Sequence, residues 1–156
     1  YNVSKTDKYK VYIMTLDDIY TEWDKDSKID QTELAKEALK IPQLHNKYYK
    51  FYNKERLALR KLKHDFKSLK HDKYEFYTMG PNEDTPSDWE LPPRGNILKS
   101  EVNQYLDADK DLINISLKIG YAQEKVELIE SIIKSLVNRG FQIKSAIDWV
   151  KFQNGL

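Results

Sequence analysis

Residues 112–137 read LINISLKIGYAQEKVELIESIIKSLV. Leu112, Ile115, Ile119, Ala122, Val126, Ile129, Ile133 and Leu136 recur at alternating steps of three and four without a slip. On a helix they form one stripe, the seam geometry of a coiled coil. Ile113, Leu128, Ile132 and Val137 lie beside it, so the stripe is wider than a two-stranded seam requires. Such a face needs partners, and the rest of the chain reads as too polar and too extended to supply all of them. The eight residues are therefore expected to be an oligomerisation seam. Their helix is expected over 108–138, with Asn138-Arg139-Gly140-Phe141 as its stop: Gly140 in the left-handed position and Phe141 packed back on the last turn. A last helix over 142–152 carries Ile143, Ile147 and Val150 on one face.

Upstream, Thr15 can cap a short amphipathic helix over 15–23, with Asp18 three residues on. A polar break follows at 24–28. Asp30, with Glu33 three residues later and Ile29 stapled onto Leu34, opens a helix to about Lys40, where Pro42 should kink or end it. Residues 43–77 contain neither Gly nor Pro and read as a second, long helix. Residues 79–96 hold four of the five prolines, two of the five glycines and mostly acidic charge, the composition of a long loop without regular structure. Trp89 and Leu91 within it are expected to tuck onto a helix. Helix resumes over 97–106.

No stretch alternates like a strand. The expected fold is all-α, a long basic helix plus C-terminal heptad-bearing helices, assembling as an oligomeric helical bundle or ring. Residues 1–13 read as an N-terminal extension before a helix start at Met14. Residues 14–78 hold the basic helix, 79–96 the Pro-rich acidic loop, and 97–156 the oligomerisation region.

The net charge of +1 hides segregation. From Gln43 to Lys73 there are ten Lys/Arg against three Asp/Glu; from Met14 to Lys40 there are four Lys against eight acids; from Tyr74 to Pro93 there are five acids and no base. Within the basic helix Arg56, Arg60, Lys63, Lys67 and Lys70 step by four, three, four and three. At 100° per residue they fall inside an arc of about 80°, with Leu59, Leu62, Phe66 and Leu69 as a second stripe about 100° away. Leu62-Lys63-His64-Asp65 recurs one heptad later as Leu69-Lys70-His71-Asp72. Tyr48, Tyr49, Phe51 and Tyr52 precede the stripe, and Tyr74, Phe76 and Tyr77 follow it. A line of cations with rings nearby suits a single-stranded nucleic acid, cations for phosphates and rings for stacking. The same line also reads as a solvated face keeping an assembly soluble, and Tyr48, Tyr52 and Phe66 as core.

Catalysis has little to stand on. His64-Asp65 and His71-Asp72 lie seven apart, about 10.5 Å along a helix, too far to share one ion. His45 is the one remaining histidine, so neither a metal centre nor a metal-dependent phosphohydrolase is expected. Asp107-Ala108-Asp109-Lys110-Asp111 opens like a calcium loop but lacks the glycine of the sharp turn, and Lys118 stands where the bidentate Glu belongs. It reads instead as acidic charge at a helix start. There is no phosphate-binding glycine loop and no cysteine. No cofactor is expected. No apolar run approaches the roughly 20 residues that cross a bilayer, and no membrane partner is expected.

Several weak signals in order and spacing carry a likeness. Met14, Leu16 and Asp18 are followed by Ile29-Asp30; then come Ser100-Glu101, Asp107 to Leu112, Ser135 to Phe141, Ile143-Lys144, and Phe152 to Gly155. From Met14 onward the chain resembles the UvsY family, recombination mediators of large tailed phages. The resemblance implies a protein without enzymatic activity that binds single-stranded DNA. Such mediators form a ring-like homo-oligomer through C-terminal helices, here expected to be a hexamer or heptamer. They help a RecA-like phage recombinase replace the phage single-strand-binding protein, in the cytoplasm of the infected bacterial host. The family's DNA contacts, a Lys and an Arg, fall on His71 and Lys73 when counted without gaps from Ile29. A His that is neutral loses the charge that a Lys brings to a phosphate, so Lys70 or the stripe as a whole is expected to take over that contact. The expected DNA contacts are thus Arg56, Arg60, Lys63, Lys67, Lys70, His71 and Lys73. The competing expectation is a coiled-coil scaffold whose basic helix meets an acidic protein partner; nucleic acid that co-purifies and is shed at high salt separates the two.

Overall fold

The fold is seen in a computed structural model, which describes residues 14–156; the N-terminal extension at 1–13 lies outside the described residues. Four helices carry the chain: α1 (Leu16–Asp26), α2 (Leu34–Met79), α3 (Val102–Asp107) and α4 (Lys110–Gln153), with no strand among the described residues. The chain is all-α. No helix among the described residues is long and apolar enough to cross a membrane. Two compact units divide it: residues up to Lys50 with Glu127–Leu156, and Phe51–Val126. Both long helices contribute to each unit.

In the first unit the expected capping box is present. The Asp18 amide donates to Thr15 Oγ1 at 3.1 Å, and the Thr15 amide donates to Asp18 Oδ2 at 2.9 Å. α1 runs on through the expected break to Asp26. Its Trp23 meets Tyr48 edge-on at 5.6 Å, and the fully buried Tyr48 donates its hydroxyl to Asp26 Oδ2 at 2.9 Å. Burial first, then that bond to a carboxylate, push the phenol well above its ordinary range. Lys47 bridges Glu22 and Asp26, each at 2.7 Å. Asp30 does not cap α2 directly. It accepts from the Thr32 amide and hydroxyl in a local turn, and the helix begins four residues later at Leu34.

Two expected helix ends are absent. α2 passes through Pro42 without ending. Proline removes one backbone hydrogen bond at a cost near 3 kcal/mol, and burial of Glu37 before it and Tyr48 after it holds both sides in one helix. α4 likewise passes through Gly140, which has no positive φ. The reason is a buried face that crosses the glycine at steps of three and four: Ile129, Ile132, Leu136, Arg139 and Ile143. A helical Gly costs about 1 kcal/mol against Ala, less than burial of one aliphatic side chain gains. The left-handed glycine is Gly155, at φ +73°. There the Leu156 amide reaches the Lys151 carbonyl at 3.0 Å and the Gly155 amide reaches Phe152 at 3.1 Å, a Schellman close.

The heptad residues find their partners within the chain. Ile129 and Leu136 are fully buried, Leu112, Ala122 and Val126 are buried, and Ile115, Ile119 and Ile133 are half-buried. The chain thus covers five of the eight residues and leaves Ile115, Ile119 and Ile133 partly open. In the second unit, Ala122 and Val126 pack with Leu59, Tyr52, Leu62 and Ile119. Leu112 packs with Ile97, Val102 and Leu106, flanked by Phe66, Leu69, Tyr74 and Tyr77. In the second unit the apolar side of α2 covers part of the stripe. Toward Ile143 the fully buried set moves from the register of Ile133 to that of Ile132.

Residues 80–101 form turns, and helix begins only at Val102 rather than at Ile97. Gly80, at φ +91°, ends α2 with its amide on the Phe76 carbonyl at 3.0 Å. The Ile97 amide then donates to the Tyr77 carbonyl at 2.7 Å, capping α2 from outside instead of starting a helix. Trp89 does tuck onto α2, edge-on to Phe76 at 5.3 Å.

Candidate nucleic-acid interface

α2 in the second unit has two faces. Leu59 is buried and Leu62, Phe66 and Leu69 are half-buried toward the core. Arg56, Arg60, Lys63, Lys67 and Lys70 are all exposed beside them. Arg56 lies over the Tyr52 ring at 5.2 Å. The other four make no ion pair or hydrogen bond among the described residues. Cations three and four apart on a helix have Cβ atoms about 5–6 Å apart, and like charges there destabilise it by a few tenths of a kcal/mol per pair. A polyanion laid along the line reverses that sign and releases its own counterions. His71 is exposed, with Nε2 3.3 Å from Glu75 Oε1 one turn along the same helix.

Lys73 is placed differently from the other six expected contacts. It is 4% exposed, with Nζ 3.0 Å from Asp109 Oδ2 and 2.7 Å from Asp111 Oδ2, and 3.9 Å from the Trp89 ring centroid. This cation is neutralised inside the fold. Asp109 Oδ1 meanwhile caps α4, accepting from the Asp111 and Leu112 amides at 3.0 and 3.1 Å, and Oδ2 accepts from the Tyr77 hydroxyl at 2.7 Å. The acidic helix start read from the sequence is thus an N-cap tied to α2. Lys73→Ala should destabilise the fold by about 3 kcal/mol, because two carboxylates lose their partner. It should leave the salt slope of DNA binding unchanged. Denaturant melts and a salt series measure the two effects separately.

Burial alone would raise the Asp109 carboxyl. The Tyr77 hydroxyl, the Leu112 amide and the Lys73 ammonium outweigh it and hold the group below its ordinary 3.8. A carboxyl depressed in the folded state stabilises above its unfolded value and loses that contribution as pH falls through the folded value. Melting temperature should therefore fall as pH drops below about 4. Asp109→Asn should be less stable at pH 7 and show a shallower acid limb.

The second unit also contains a buried pair that the sequence reading passed over, Glu55 Oε2 to Lys125 Nζ at 2.6 Å. In the first unit the buried Arg139 donates to the Asp26 carbonyl at 2.8 Å and lies over the Trp23 ring at 5.5 Å. The signal was in the spacing. Glu55 precedes Leu59 by four, Lys73 follows Leu69 by four, and Arg139 follows Leu136 by three, so each stands on a core stripe. No cluster able to hold a metal ion occurs among the described residues.

Residues 22–156 match the profile of a family described as "Recombination, repair and ssDNA binding protein UvsY". Crystal structures of the bacteriophage T4 recombination mediator protein UvsY in lattice types II, IV and I have a similar fold. Their TM-scores are 0.76, 0.75 and 0.74, at 24%, 21% and 23% identity. The matches cover 91%, 90% and 87% of this chain and 99%, 99% and 98% of theirs. No curated protein sequence matches.

Proposed function

The chain belongs to the UvsY family of recombination, repair and single-stranded-DNA-binding proteins, and from that membership we propose how it works as a recombination mediator. Arg56, Arg60, Lys63, Lys67 and Lys70 lie along the phosphates of one strand, with His71 a further contact. Lys73 holds the α4 cap instead. The bound protein assists a RecA-like phage recombinase in loading onto DNA coated by the phage single-strand-binding protein. It serves homologous recombination, repair and recombination-dependent replication in the cytoplasm of the infected host. It acts by binding and catalyses no step. The observation that carries this reading is the line of exposed, unpaired cations on a chain whose net charge is only +1.

A weak site gains from repetition, because linked copies convert later contacts into intramolecular ones. A homo-oligomer, hexamer or heptamer, supplies those copies. The heptad seam is largely occupied within the chain, so the apolar residues left outside at the end of α4 carry the association. Phe141 and Phe152 are 71% and 72% exposed, and Trp149 and Val150 line an apolar groove with Ile29 and Leu34. Phe141→Asp with Phe152→Asp should lower the sedimentation coefficient to that of a single chain while circular dichroism stays helical.

The mediator activity is tested by following recombinase ATPase on single-stranded DNA precoated with the single-strand-binding protein. Adding this chain should shorten the lag. An unchanged lag, with DNA binding intact, would leave a DNA-binding protein that is no mediator.

A further inference from the structure

Beside the cationic line, the second unit has a cleft of about 220 Å³. It is lined by Phe66 and Lys70 of α2, Asp107 of α3, and Leu112, Ser116 and Leu117 of α4. We propose that this cleft receives a nucleobase of the bound strand, one carrying an exocyclic amino group. The inference rests on the reading of the cationic line as a single-strand interface and says how the bases of that strand are held.

Size comes first. Independent small-molecule sites run about 300–1,000 Å³. This cleft is smaller, suited to one ring of a ligand held mainly elsewhere. Position comes second. Lys70 belongs both to the cationic line and to the cleft wall, and Phe66 is one helical turn before it, about 40° around the helix. A strand whose phosphates run past Lys63, Lys67 and Lys70 thus has the cleft at its flank. Chemistry comes third. Phe66 and the aliphatic lining offer a surface for a planar ring, and Leu117, 68% exposed, has apolar surface to cover. The Ser116 hydroxyl and the Asp107 carboxylate have no partner among the described residues. A carboxylate only accepts. It repels a phosphate, so the backbone stays on the lysines, and it favours the two N–H bonds of an exocyclic amino group, as on cytosine, over the single ring N–H of thymine.

The test uses the full chain, anisotropy at fixed salt, and oligonucleotides of equal length: oligo-dC, oligo-dT and an abasic backbone. The expected order is dC, then dT, then abasic, with abasic at least about fivefold weaker than dC, the lower end of a stacking contact. The salt slopes should be equal because the phosphates are equal. Ser116→Phe puts the chain's own ring into the cleft from an exposed helical position. It should abolish the difference between dC and abasic without changing the slope. Asp107→Asn, at an exposed position, should abolish the difference between dC and dT. Equal binding of dC and abasic strands with a steep common slope would overturn the cleft and leave the cationic line standing. A base effect that survives Ser116→Phe would also overturn it, placing the bases elsewhere or assigning the cleft to another copy of the chain. No binding of any strand at low salt would overturn the cleft together with the reading it rests on.

Discussion

Replacing Arg60, Lys63, Lys67 and Lys70 together by Ala should reduce affinity for single-stranded DNA by roughly several thousandfold at 50 mM salt, nearly to the limit of detection. The magnitude follows from counterion release. Each single-strand phosphate contact contributes about 0.7 to the slope of log K against log salt, roughly a factor of ten at that concentration. Four contacts should lower the slope by about 3. All four residues are exposed and outside the core clusters, so the variant should melt like the parent or slightly higher. Alanine has the best helix propensity, and four mutually repelling cations are gone. Loss of binding with retained stability assigns the residues to the ligand. A single substitution should cost about tenfold, so the effect grows with the number removed and carries little sequence dependence.

The largest stability effect should come from Glu55 and Lys125. Their side chains are 5% and 6% exposed at 2.6 Å separation. Removing either alone leaves a buried charge without its partner, at a cost of about 3–5 kcal/mol. Lys125→Ala or Glu55→Ala should therefore shift urea unfolding strongly. The double replacement Glu55→Leu with Lys125→Met should be nearly neutral, because desolvating the pair already offsets much of its attraction. The pair then serves to fix the register of α2 against α4 in the second unit rather than to add stability. A double variant as unstable as either single one would show that the pair itself is strongly stabilising.

Much of this architecture was legible as periodicity. The stripe Leu112 to Leu136 announces α4, the capping box at Thr15 announces α1, and the run without Gly or Pro announces most of α2. What periodicity could not decide was which surface covers the stripe. A heptad seam looks the same whether its partner is another subunit or an earlier helix of the same chain, and here α2 takes much of that place in the second unit. Gly140 was expected to end a helix and Pro42 to kink or end one; both helices continue, because local propensity was weighed without the buried residues that cross them. The candidate site divides in the same way. Exposure of the cationic line follows from its arc alone. The withdrawal of Lys73 depends on Asp109, Asp111 and Trp89, which stand 36, 38 and 16 residues further along. Its position on the Leu69 stripe was the local clue.

The most direct measurement is a titration of the protein into a labelled single-stranded oligonucleotide, followed by anisotropy across a salt series, with duplex of equal length beside it. Tight binding at low salt, a steep linear fall of log K with log salt, and weaker binding to duplex are the predicted result. Absence of binding at low salt, or an affinity indifferent to salt, would contradict the assignment of the α2 cations to DNA.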